Sequence, residues 1–578
     1  MCQFTENKMD VESALQPLTL VLGKMPREAD PAKVIAAGPW CFAGQEDFFP
    51  EWENRYRFAP EPLENGEGLE CAARDCLALC VDNIALVARH LCPDAGKLPD
   101  AYWQILLVPW LVDVCRQIVE RNLRVQAMIR AYSDMELSVP ILPGNCAFDF
   151  VDEHDFTLRG SLGTDFNHWL FSRLLEPIWP ASWKKIELEP TSRICKDNTQ
   201  KAPFSWRATA KKLMLGLGFP KLKGMTAFQA LKYSLALNHP CNGVDHSLDL
   251  KIFTTAHGAH LPLDPLPIFL AALPQSLKDL RHPADLKKNA TARVRVGAIS
   301  VYEDTQYRQK LAIWRARGNR LAYVQHGGNY GQIEVSCDRD CVEYSQDAFF
   351  TWGWKKQGKA RGNFIPLPYP QLQRIANKWN YSGKEDLLFV GTEMPAYGYR
   401  LESRPNPLQT IAYRKDKAVF FENISEELQA KSFYRPYFDI PGTLQDAAWL
   451  LPRFPHIRLC EGQLLPRILS CKLLVLDHHG TTMLEALVAN TPVVLFWNPE
   501  SWPLCPEAEK LLEILARAGI WFASPQKAAE KVRNIWGHAQ IWWQETEVQK
   551  ARRLYCHEQA LTINGSENSL WIKTLKSL

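Results

Sequence analysis

The sequence predicts an α/β protein built of more than one unit, and three observations carry that reading. Short β-branched or apolar runs alternate with helix-periodic segments through residues 293–324 and again through 473–497. That alternation is the grammar of parallel sheets covered by helices. Two of the runs end in glycine-bearing loops, Gln325-His326-Gly327-Gly328-Asn329-Tyr330-Gly331 and Asp477-His478-His479-Gly480-Thr481-Thr482. Between them, residues 355–385 carry Pro366, Pro368, Pro370 and several glycines, the composition of a linker between two halves.

Length and composition bound the rest. A chain of 578 residues predicts two domains or three, and 46% hydrophobic residues can fill a large core. With 67 Lys and Arg against 64 Asp and Glu, the net charge of +3 argues against a surface devoted to nucleic acid. No apolar run approaches the 18 or so residues of a membrane span, and Met1-Cys2-Gln3-Phe4-Thr5-Glu6 lacks the build of a secretory signal. A cytoplasmic protein is expected. Sixteen cysteines without a CxxC pair read as reduced, mostly buried thiols rather than metal ligands.

Taken in order, residues 1–60 are Pro-rich and read as irregular. Residues 69–92 repeat apolar side chains at helical spacing, and 101–133 read as one or two further helices that Pro109 should kink or divide. Asp165 is placed to cap a helix beginning near Asn167. Residues 185–245 are rich in Lys and Arg, as a solvated surface or a face toward an anionic donor or an anionic membrane surface. A strand is expected over 293–301, a helix over 306–317, closed by Gly318, and a strand over 321–324. Asp304 stands between the first strand and the helix as an N-cap or a site carboxylate. Later strands are expected at 386–390, 417–421, 473–476 and 493–497, with an aromatic, helical tail after residue 528.

The two loops suit different chemistry. Adjacent glycines let the backbone at Gly327 and Gly328 approach a ligand closely, and His326 can exchange a proton or hydrogen-bond an anion near neutral pH. In the second loop, Gly480, Thr481 and Thr482 open a helix whose free amides and dipole favour phosphate. Glu485, one turn further on, could hold a ribose or partner Thr482 in a capping box. Each loop also reads, more plainly, as a tight turn and an ordinary capped helix.

Together the motifs resemble one family. The first loop with Glu343 and Thr351-Trp352-Gly353-Trp354, the second running into Leu484-Glu485-Ala486-Leu487, Phe496-Trp497-Asn498-Pro499 and Trp542-Trp543 carry the resemblance. So do Asn167-His168-Trp169-Leu170 and Leu106-Leu107-Val108-Pro109-Trp110-Leu111. They look like the large transferases of bacterial surface-carbohydrate gene clusters, a family first defined on a leptospiral protein. More distantly they resemble the retaining β-Kdo transferases, which use CMP-Kdo. The resemblance implies a GT-B-like pair of Rossmann-like domains facing a cleft, with a helical N-terminal elaboration. The division it implies is an irregular segment over 1–60, an acceptor-side domain over 61–365, a nucleotide-binding domain over 386–545 and a tail over 546–578.

The resemblance further implies a metal-independent glycosyltransferase without a cofactor, acting on a nucleotide-sugar donor and a glycan or lipid-linked acceptor, with peripheral contact at the inner membrane. Gln325, Gly327, Gly328, Asn329, His478, Gly480, Thr481, Thr482 and Glu485 would bind the donor. His326, Asp304 and Asp165 would carry the chemistry, Asp152 competing for the carboxylate role. The alternatives are a non-catalytic protein that keeps the same shell, or another enzyme on that shell such as a sugar epimerase.

Overall fold

Three parallel sheets, not two, run through the described residues. The computed structural model describes residues 18–64, 66–189, 218–241, 245–253, 261–381, 384–398, 400–438, 440 and 442–578. The first sheet joins β1 (Leu18–Val21), β2 (Val34–Ala36), β3 (Arg57–Phe58), β4 (Leu137–Ile141) and β5 (Trp183–Glu187) in the order β3-β2-β1-β4-β5. The second joins β6 (Val294–Gly297), β7 (Arg320–Val324), β8 (Ala348–Thr351) and β9 (Phe364–Pro366) in sequence order. The third joins β10 (Leu387–Val390), β11 (Ser432–Arg435), β12 (Arg458–Leu459), β13 (Leu473–Leu476), β14 (Val493–Phe496) and β15 (Trp521–Phe522) in the order β12-β11-β10-β13-β14-β15. Every pairing within the sheets is parallel. The central strands β10, β13 and β14 are wholly buried, which is why they read as continuous apolar runs rather than alternating ones.

The third sheet reverses its strand order between β10 and β13. A crevice opens at such a reversal because the flanking connections leave to opposite faces. The loop 477–482 leaves β13 at that point, and the Thr392 amide, just past β10, donates to Asp477 Oδ1 at 3.1 Å.

Four expectations change. The segment 1–60 carries β1 to β3 from residue 18 onward. These strands have two to four residues, too few for a periodic signal, and they are fixed by pairing outward from β4. Pro109 neither ends nor divides its helix, which runs unbroken over Asp100–Tyr132. Packing against the helices Gly66–Leu91 and Thr305–Ala316 holds it, and Arg308 Nε donates to the neighbouring Leu106 carbonyl at 2.8 Å. Residues 417–421 lie in the helix Gln409–Glu422, where Tyr413, Lys417, Phe420 and Phe421 are buried at helical spacing. Asp165 is not an N-cap: Gly163 holds that position and Asp165 lies in the first turn of Thr164–Leu175. Asp304 does cap Thr305–Ala316, accepting from the Tyr307 amide at 2.9 Å.

The tail is helical and crosses back to the second sheet. Trp571, in the helix Glu567–Ser577, donates to the Pro368 carbonyl at 2.9 Å and meets Phe350 edge-on. Within the basic stretch, residues 190–217 lie outside the described residues, as do the first 17 of the chain. Among the described residues no helix is long and apolar enough to cross a membrane.

Candidate functional site

The two glycine-bearing loops touch. A methyl group added to Gly328 would lie 2.1 Å from Thr481 N and 2.3 Å from the Gly480 carbonyl carbon. Only glycine allows that approach, so β7 and β13, from different sheets, deliver their loops to one place.

In the first loop, Glu343 is fully buried and its carboxylate takes two donors. His326 Nε2 lies 2.9 Å from Glu343 Oε1, and the Tyr330 hydroxyl donates to Oε2 at 2.9 Å. The same hydroxyl oxygen is 2.7 Å from His326 Nε2. Arg339 stands 3.8 Å over the Tyr330 ring and donates to Asn329 Oδ1. Gln325 faces inward. Its side chain accepts from the Trp352 amide and Trp354 Nε1, both at 2.8 Å, and donates to the Gly327 carbonyl. It therefore holds the loop's shape rather than opening onto solvent.

In the second loop, His478 Nδ1 donates to Asp477 Oδ1 at 2.9 Å. Lys417, itself buried, lies 3.5 Å from Asp477 Oδ2 and ion-pairs Asp446. The helix Thr481–Ala489 begins at once, with Gly480 at the N-cap (φ 152°) and no side chain capping its first amides. Thr482 is inside the helix, so no capping box forms with Glu485, which pairs with Lys223 Nζ at 3.3 Å. His479 is buried edge-on to Trp502, with neither ring nitrogen bonded among the described residues, and burial, with His478, Arg339 and Arg404 adding to it, lowers its pKa to about 3.

A polar cavity of about 350 Å³ opens beside the first loop. His326, Gly327, Asn329 and Tyr330 line one side, and the helices Asp100–Tyr132 and Cys337–Val342 supply others. A larger hollow of about 610 Å³ lies on another face of the latter helix and touches neither loop.

A family model described as LIC12162 family transferase matches residues 18–575, nearly the whole chain. The chain belongs to the LIC12162 family of transferases. No curated protein matches it. The family resemblance carried by the two loops and their flanking motifs is thus borne out, and this LIC12162 family transferase presents both loops at one locus.

Four carboxylates line its cavity, and three are engaged. Asp113 pairs with Arg116 at 2.9 Å, Glu153 with Arg308, and Asp338 with Arg116 at 3.2 Å. Burial pushes the Asp338 pKa up, but Arg116, Arg400 and Arg339 outweigh it and bring it to about 2. Glu303 alone has no ion pair or hydrogen bond among the described residues. Of the carboxylates singled out from the sequence, Asp304 and Asp152 cap helices, and Asp165 lies in a first turn. None of the three lines the cavity.

Asp113, Arg116, Asp338, Arg339 and Arg400 were missed. A signal existed for the first two. Asp113, Arg116, Gln117, Glu120, Arg121 and Arg124 form a stripe at helical spacing along the middle of a largely apolar helix, and all six are buried. Buried charge at that density requires partners, and the partners mark the site.

Proposed function

We propose that this transferase moves a sugar from a nucleotide donor, with the donor spanning the two loops. The observation that carries the reading is the contact of Gly328 with Thr481. It joins a proton-handling histidine to an uncapped helix N-terminus at the reversal of a parallel sheet. In this reading the second and third sheets are the two halves of a GT-B-like cleft, and the first sheet with its long helices is the N-terminal elaboration.

The donor phosphate would sit on the Thr482 amide and the Thr481 and Thr482 hydroxyls, with His478 Nε2 as a further donor because Nδ1 is committed to Asp477. The sugar would occupy the 350 Å³ cavity, facing His326. The family resemblance favours an acidic sugar from a CMP-linked donor such as CMP-Kdo, whose carboxylate would compete with Asp113, Asp338 and Glu402 for Arg116, Arg339 and Arg400. Glu303 would face the positive charge that develops at the anomeric carbon. The acceptor would be a surface glycan or its lipid-linked precursor, reached at the membrane face.

A calorimetric panel of CMP-, UDP- and GDP-sugars tests this. At least one should bind and raise the melting temperature. Thr481→Val with Thr482→Val should weaken that ligand about tenfold, the loss of one to two hydrogen bonds to a charged group, while the melting temperature of the free protein holds. A chain that binds no nucleotide would instead be a non-catalytic shell.

A further inference from the structure

We propose that Glu343 is a positioning residue that locks the His326 proton on Nε2 and so makes Nδ1 the atom that receives the acceptor's proton. The identity of the acceptor rests on the sugar-transfer reading; the lock does not.

The argument is one of donors and acceptors. Glu343 is buried and offers only acceptor oxygens as a carboxylate. Oε1 is 2.9 Å from His326 Nε2, and Oε2 takes the Tyr330 hydroxyl proton at 2.9 Å. Were the ring proton on Nδ1, the Tyr330 hydroxyl could turn its proton to Nε2, but the buried Glu343 carboxylate would then lose both donors and face the Nε2 lone pair at 2.9 Å. With the proton on Nε2, both carboxylate oxygens are satisfied, and the hydroxyl oxygen 2.7 Å away is a second acceptor. Nδ1 then has no protein partner among the described residues, and the ring lines the cavity. Tyr302, whose ring centroid is 6.0 Å from that of His326, encloses another side.

The step this geometry permits balances simply. The acceptor O–H bond breaks and its proton passes to Nδ1. The oxygen's electron pair forms the bond to the donor's anomeric carbon. The bond from that carbon to the phosphate oxygen breaks, and its pair leaves with the nucleotide. Glu343 holds the imidazolium through Nε2–H until Nδ1 returns its proton to solvent. A carboxylate behind a histidine acts in this way by fixing tautomer and orientation.

The test uses the full chain with ¹⁵N-labelled histidine, the His326 signals assigned by their loss in His326→Gln. The wild type should show a neutral ring protonated at Nε2, and Glu343→Gln should show a mixture of tautomers. With a donor from the nucleotide panel, Glu343→Gln should lower kcat about 100-fold with little change in donor KM, and Glu343→Asp should recover part of it. Tyr330→Phe, which spares the carboxylate–imidazole contact, should lose less than about tenfold. A wild-type proton on Nδ1, or full turnover in a folded Glu343→Gln, would overturn the proposal. Nε2–H in a chain that transfers no sugar would refute the acceptor step and the sugar-transfer reading while leaving the lock intact.

Discussion

The loops after β7 and β13 share parts and differ in what they leave free. Each follows a buried parallel strand, sets a histidine against a buried carboxylate and carries a glycine where the loops meet. In the first, the carboxylate takes Nε2 and the histidine borders a cavity. In the second, it takes Nδ1, a buried lysine offsets the carboxylate's charge, and a helix starts immediately. The first loop leads into no helix until Cys337–Val342, which supplies the arginine over Tyr330. A histidine beside a polar cavity suits proton transfer, whereas a histidine beside uncapped amides suits an anion.

That contrast breaks most sharply at the histidines. His326→Ala should cut kcat about 1000-fold at nearly unchanged melting temperature, and His478→Ala should act mainly on donor KM, in steady-state kinetics of the two variants side by side. The reverse pattern would exchange the loops' roles. The next largest effect is expected at the contact itself. Gly328→Ala places a methyl group 2.1 Å from a backbone nitrogen, which no rotamer change can relieve. Separating the loops by about 1 Å should cost about 100-fold in turnover and about 1–3 kcal/mol in stability, read by kinetics and thermal denaturation together. An active, equally stable Gly328→Ala would mean that the loops need not touch.

The two loops were legible in the sequence because each is local: strand, turn and, in the second, helix start fall within fifteen residues or so. Their meeting was legible only through the family resemblance, since nothing along the chain couples residue 328 to residue 481. The first sheet was not legible, because β1 to β3 have only two to four residues, too few to carry a period, and pair one on the next outward from β4. Lys417 shows the same limit in reverse. An apolar run beginning with lysine looked like a strand, yet the lysine is buried in a helix because Asp446 and Asp477, 29 and 60 residues further on, meet its charge there. The cavity's arginines and aspartates come from three distant segments, so tertiary packing alone assembles them.

The finest version of the comparison lies between two neighbours at the end of the short helix Ser300–Glu303, which follows β6. Asp304 and Glu303 are adjacent and both acidic, but the backbone turns one onto a helix and the other onto the cavity. Asp304→Ala removes a cap and should cost about 1 kcal/mol of stability, seen as a lower denaturant midpoint, because the Tyr307 amide loses its acceptor. Its kcat should fall no more than a few-fold. Glu303→Gln makes the opposite demand: an exposed, unpaired side chain contributes little to folding, so the midpoint should hold while kcat drops, since an amide cannot offset charge at the anomeric carbon. If Asp304→Ala instead stops turnover at unchanged stability, the reactive carboxylate is the one that caps the helix, and the cavity beside His326 would not be where the sugar reacts.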